Sequence, residues 1–488
     1  MSHHSHHTLP HLHAGEGQDP VDSKAIDASV RLPVIILFGN SIHWLVVASL
    51  LSLLVSVKLI APGFLGGISF LTYGRLAPMA RDLMLYGWAS QAALAAGIWL
   101  MARLCGRPLG GQCSNGLGGM LLRTLVISAT VLWNLAVLLG TLAILAGYST
   151  GVEWLEYPGW ASAMLLLSFL LIGIWVLFLF DRRASGRPEV AQWYLVAGFC
   201  SFPWVYGTAN LLLVWKPIQA SAQGPIQAWY CGGLLGLWLL PVAVAALYAL
   251  IPRILGLHLH RRDLATLGFW SLLFLGGWNG IDRLIGGPIP AWMTSVGVVT
   301  GILFIIPVVI IAINLLGTMH RGTPQKDHHI SYLFLKAGLI LFIVDGILGV
   351  LASMPGVNGA LNLTGFTEAK YQLCLLGAVS LPLFAVIYES LPQLLGRECW
   401  CPKLSGKHYV FTLVGLGILV VLLLLGGLFT GLALSDPTVT FLNITCYAYP
   451  FHLLECAAEI LLLVASAIIG ANLSIALAGN FLFPKKSS

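Results

Sequence analysis

The sequence predicts an all-α, polytopic membrane protein with twelve transmembrane helices. Three observations predict it. The chain of 488 residues is 58% hydrophobic and only 9% charged, whereas a soluble domain carries about 25% charged residues. Apolar runs near the ~20 residues that a helix needs to cross a bilayer recur along the chain. Lysine and arginine gather on alternate connections between those runs.

The runs lie at 34–60, 83–102, 124–147, 161–180, 193–214, 228–251, 264–281, 292–316, 332–351, 371–391, 410–434 and 451–478. Each is far too long for a strand. Backbone in hydrocarbon must satisfy its own hydrogen bonds, so each run reads as a helix. With the N-terminus inside, only Lys58, Arg75, Arg81, Lys216, Arg283 and Lys370 fall toward the outer side, and Lys336 lies within a span. The rest of the 25 Lys and Arg residues are inside. That bias predicts an even number of helices and both termini in the cytoplasm.

Residues 1–33 form a His-rich cytoplasmic tail, expected to be disordered. Residues 34–480 form the membrane domain, and 481–488 a short cytoplasmic tail. The opening MSHHSHHTLPHLHAGEG could capture metal, but a solvated tail or a cloning remnant is the simpler reading. Its polarity argues against a secretory signal. Cys105, Cys113, Cys399 and Cys401 fall in inner loops, where disulfides are not expected. The C-W-C at 399–401, with His408 nearby, does not match a standard zinc spacing. The lipid bilayer is the first partner implied, and nothing points to nucleic acid.

Four segments carry a family resemblance. They are FLTYGRLAPMARD at 70–82, AWYCGGLLGLWLLPVAVAALYALIPRILG at 228–256, FWSLLFLGGWNGIDRLIGGPIPAWMTSVGVVTGILFIIPVVIIAINLLGTM at 269–319, and TEAKYQLCLLGAVSLPLFAVIYESLPQLLGRE at 367–398. In order, spacing and helix count the chain resembles subunit I of cbb3-type haem-copper oxidases, a family that includes the nitric oxide reductase large subunit. The resemblance runs from about residue 34 to 480.

That family holds haem iron and copper with imidazoles. The resemblance puts the low-spin haem ligand after G-R-L-x-P at Ala80. It puts one copper ligand at Gly232 and two more at Asp282 and Arg283. The cross-linked tyrosine falls on Gly276, and the His-x-His pair of the tenth span on Lys370 and Gln372. The histidines read inside spans are His43 and His452. Lys370 and Met79 are other conceivable haem ligands, and Cys231 and Cys374 conceivable copper ligands. A lysine must lose its proton to bind, however, and a lone buried thiolate is costly without its metal. No catalytic residue, haem or copper is therefore predicted.

Loss of the cofactors would leave a cavity for Trp204, Trp229, Trp238, Trp278 and Tyr371 to fill. Asp282, Arg283, Asp345 and Lys370 form a candidate buried polar cluster, with Asp282 pairing Lys370 and Arg283 pairing Asp345. The alternative is that they reach the interface and are solvated. Asp345, Glu389, Glu455, Glu459, Lys336 and His452 could relay protons, although Lys336 and Glu389, near the cytoplasmic ends, are also expected to snorkel to water. The leading functional expectation is a non-catalytic subunit of a respiratory complex in the bacterial inner membrane. It would serve a structural or ion-pathway role beside membrane-anchored cytochrome c subunits. The alternatives are an active terminal oxidase or nitric oxide reductase with haem b and copper held by atypical ligands, and an ion or proton transporter on the same scaffold.

Overall fold

A computed structural model describes residues 23–108, 117–184, 186–397 and 399–482. Most of the His-rich tail, Cys113 and residues 483–488 lie outside the described residues. The described residues are helical, with no strand among them. Twelve helices are long and apolar enough to cross a membrane. They are α1 Ser23–Ile60, α2 Tyr73–Cys105, α3 Gly118–Ala146, α4 Gly159–Asp181, α5 Val190–Trp215 and α6 Ala220–Leu255. Then follow α7 Arg262–Leu284, α8 Ala291–Met319, α9 Lys326–Ser353, α10 Gly365–Leu395, α11 Pro402–Leu434 and α12 Phe441–Ala478. The chain is a multi-pass membrane protein.

The architecture is a central trio inside an outer ring. In their most apolar stretches α2, α6 and α10 bury 94%, 94% and 100% of their residues, against half or less in every other helix. Helices apolar all round are interior ones, and small residues let such helices approach closely. Each of the three contains a π-helical turn, at Leu83–Ala89, Leu234–Leu239 and Leu373–Val379. A π turn breaks the regular ladder and leaves carbonyls open to other donors. Trp133 donates to the carbonyl of Tyr86 at 3.1 Å, and Ser380 to that of Leu375 at 2.7 Å. The trio is then stitched together by indoles. Trp88 of α2 donates to Ser380 of α10 at 2.8 Å, and Trp238 of α6 to Ser90 of α2 at 3.3 Å.

At the face that carries the chain ends, a polar network ties the trio to its neighbours. Arg103 makes a two-pronged pair with Asp27, at 2.8 and 2.7 Å, and also donates to Gln393. Gln393 donates to Glu389 at 3.0 Å, and Glu389 meets His328 at 2.9 Å. Two expectations are corrected here. The first helix begins at Ser23, so Asp27 and the last part of the expected tail are structured. Glu389 is buried and doubly engaged rather than snorkelling, because a histidine and a glutamine reach it. Lys336 is exposed on the outer ring.

Asp27→Asn leaves the Arg103 guanidinium buried without its counter-charge. Breaking one side of a buried pair costs about 3–5 kcal/mol, so this variant should unfold at a clearly lower temperature in detergent. An unchanged melting temperature would show that the pair is not structural.

Candidate functional site

The centre of the site is a place where two backbones touch. The seventh span is helical over Arg262–Gly276, turns at 277–280, and ends in a 3-10 turn at Ile281–Leu284. The break follows from GGWNG. Gly280 has φ +96°, a conformation open to glycine and strained for other residues. A Cβ at Gly232 would collide with the Asn279 carbonyl, and one at Gly280 with the Ala228 carbonyl. From the other side, a Cβ on Gly297 of α8 would lie 2.6 Å from the Asp282 nitrogen. The turn is thus wedged between α6 and α8. Asp282 and Arg283 lie in this turn, just past the end of the span read at 264–281.

The wedge leaves a cavity of about 100 Å³ beside it, at the face opposite the chain ends. Asp282, Arg283, Asp345 and Lys370 all line it, together with Tyr371 and Cys374. The pairings differ from the expected ones. Ser353 donates to Asp282 at 2.8 Å. The Arg283 guanidinium lies 4.5 Å from the centre of the Tyr371 ring. Lys370 lies across Gly349 of α9, one turn from Asp345. No ion pair within 4.0 Å joins any two of the four among the described residues. The reason is topological: Lys370 extends toward the α9 face that carries Asp345.

A second, smaller cavity of about 40 Å³ lies between α1, α2, α10, α11 and α12, lined in part by Gln372, His408 and Glu459. Sequence reasoning placed His408 in a loop; it is a fully buried residue of α11. Its Nδ1 bonds the Tyr388 hydroxyl at 3.1 Å. Glu455 and Glu459 are both buried, and Glu455 pairs with His452 at 2.9 Å. His43 is exposed, stacked edge-on against Trp44.

The expected aromatic filling is also redistributed. Trp238 is fully buried and Trp229 donates to the Gly277 carbonyl at 3.0 Å. Trp204 and Trp278 are exposed instead, Trp204 on the outward side of α5 and Trp278 in the non-helical turn that follows Gly276. Their place is taken by Trp154 from the connection between α3 and α4, which sequence reasoning missed. Its ring meets Tyr371 edge-on at 4.9 Å, and its carbonyl accepts from Tyr230 at 3.1 Å and from Tyr86. A loop residue in GVEWLEYPGW gives no periodic signal of burial.

The same connection supplies carboxylates. Arg81 bonds Glu156 at 3.3 Å and lies 3.8 Å from Glu153. Glu156 is buried next to the fully buried Asp82. Burial pushes the Glu156 carboxyl above its ordinary value of 4.5, with Asp82 and Arg81 pulling it part of the way back.

Do these residues suit haem iron and copper? At the positions the resemblance assigns, Ala80 and Gly232 offer no donor, and the Gln372 amide is engaged with Glu368 at 2.8 Å. The Asn279–Gly280 backbone occupies the space into which a side chain at 232 would project. Among the described residues no three His, Cys, Asp or Glu side chains converge as a metal site, so Cys399, Cys401 and His408 do not form one either. Cys231 faces the Glu153 carbonyl and Cys374 the Asp345 carboxylate. The donor set does not fit either group.

Comparison with known proteins places this geometry. The family described as "Cytochrome C and Quinol oxidase polypeptide I" matches residues 33–467, and the chain belongs to that family. It is 22% identical to cytochrome c oxidase subunit 1 of Rhodobacter capsulatus, over 93% of this chain and 86% of that protein. It is 20% identical to the cbb3-type cytochrome c oxidase subunit CcoN1 of Stutzerimonas stutzeri, over 82% and 85%. A solved heme-copper terminal oxidase dimer shares the fold with a TM-score of 0.71 at 16% identity, over 93% of this chain and 84% of that one.

Two outcomes follow from the site. Gly232→Ala must push the α7 turn aside, costing about 1–3 kcal/mol. Gly236→Ala, whose Cβ would sit an ordinary 3.5 Å from the nearest atom, should be neutral or stabilising in thermal melts; equal behaviour of the two would contradict the wedge. Glu156 has a raised value in the fold, so its contribution is present below pH 4.5 and is lost as pH climbs through the raised value. Glu156→Gln should therefore flatten the fall in melting temperature as pH rises above 4.5.

Proposed function

We propose that this protein is a subunit I-like membrane subunit that works without its own haem-copper centre. It would lie in a bacterial inner membrane with both termini cytoplasmic, within a respiratory or electron-transfer assembly that includes membrane-anchored cytochrome c subunits. Its role there would be structural or that of an ion pathway. One observation carries the reading: the α6–α7 backbone seam fills the space in which a ligand at position 232 would have to stand. Support also comes from the charge of the neighbouring cavity. Fixed side-chain charges of both signs line it, and charges at membrane depth are retained where they have work to do.

The test is direct. The full chain, purified from membranes and supplied with haem precursor and copper during growth, should show no Soret band and no iron or copper near one atom per chain. A Soret band with stoichiometric iron and copper would overturn the proposal and establish an oxidoreductase with unusual ligands.

A further inference from the structure

The larger cavity holds groups that the fold leaves without partners. Asp345, Gly349 and Ser353 follow one another at single turns along α9 and so share a face. Gly349 makes a gap, and Lys370 lies across it: a Cβ at 349 would be 3.7 Å from the lysine Cε and 3.8 Å from its Nζ. Asp282, bonded through Ser353, lies one turn beyond. The cavity wall therefore alternates acid, base and acid, with the Arg283 guanidinium on the Tyr371 ring completing it.

Donors and acceptors are both left over. Neither Arg283 nor Lys370 has an ion-pair partner within 4.0 Å among the described residues. Asp345 Oδ1 and Asn358 Oδ1 have no hydrogen-bond partner. Both residues are more than nine-tenths buried, and both line the cavity. Buried polar groups are normally satisfied, so the two oxygens call for an occupant, and the two cations stand on the same cavity. The two acids and two bases balance. A lone anion or cation would leave a net buried charge, which is costly; a molecule carrying both signs would not. A guanidinium fork is matched to a planar carboxylate, and unpaired acceptor oxygens are matched to N–H donors.

We propose that this cavity binds a small zwitterion of amino-acid size. Its carboxylate is held by Arg283 and Lys370, and its ammonium by Asp345 and Asn358. The volume of about 100 Å³ is several times the minimum that holds one water, which suits glycine or β-alanine and excludes large side chains. The inference rests on the cofactor-free reading above, since a porphyrin would compete for the same space.

The experiment uses the full chain in lipid nanodiscs. Equilibrium dialysis with radiolabelled glycine and β-alanine is run against competing acetate and methylammonium, and haem absorbance is recorded on the same sample. At least one zwitterion should bind saturably, with acetate and methylammonium at least about tenfold weaker. Asp345→Asn and Asn358→Ala should each weaken binding by about tenfold while the melting profile stays cooperative. A haem-free sample that binds neither zwitterion overturns this inference alone and assigns the cavity to water. Acetate or methylammonium binding as tightly as the zwitterion overturns it as well, since the site then reads a single charge. A haem-loaded sample overturns the underlying reading instead. The wild-type competition decides the matter even where a variant fails to fold.

Discussion

The structure depends on a contact between two stretches of backbone. Gly232 of α6 has no side chain, and the carbonyl of Asn279 stands where one would begin. Gly280 must take a positive φ for the α7 turn to come that close. Once the seam is closed, α7 cannot continue as a helix, and Asp282 and Arg283 are carried inward on a 3-10 turn. The polar cavity follows from that displacement, because the same turn that covers Gly232 exposes two charges to α9 and α10. Gly232, Gly280, Asp282 and Arg283, separate along the sequence, are thus brought together in one packing arrangement.

The rest of the trio is held by contacts of its own. The π turns of α2, α6 and α10 survive as hydrogen-bonding features, bridged by Trp88, Ser380, Trp238 and Ser90. At the opposite end, the Asp27, Arg103, Gln393 and Glu389 chain fixes the same helices. The second device lies at the face opposite the larger cavity. The trio is therefore held at both levels by hydrogen bonds between side chains of the protein itself.

The sequence made the helices legible because hydropathy over a span-length window is a strong, local signal. It also identified the four charged residues among those that line the larger cavity, since charges are rare enough in this chain to stand out. It did not show their partners. Whether Lys370 meets Asp282 or Asp345 depends on the rotation of α9 about its axis, which no local pattern encodes. Glu389 and His408 were misplaced for a related reason: a polar residue near a span end reads as interfacial until a partner from another helix is seen. Trp154 lies in a loop, where burial has no period to betray it. Asp27 was hidden because a polar helix start resembles a tail.

The central claim is that the α6–α7 seam excludes a cofactor from the membrane interior. A cryo-electron microscopy map of the protein in nanodiscs, at a resolution that separates backbone carbonyls, tests it most directly. The account expects unbroken density for Asn279–Gly280 against Gly232 and nothing of porphyrin size between α6 and α10. A flat macrocycle in that space, with the α7 turn moved away from α6, would contradict it.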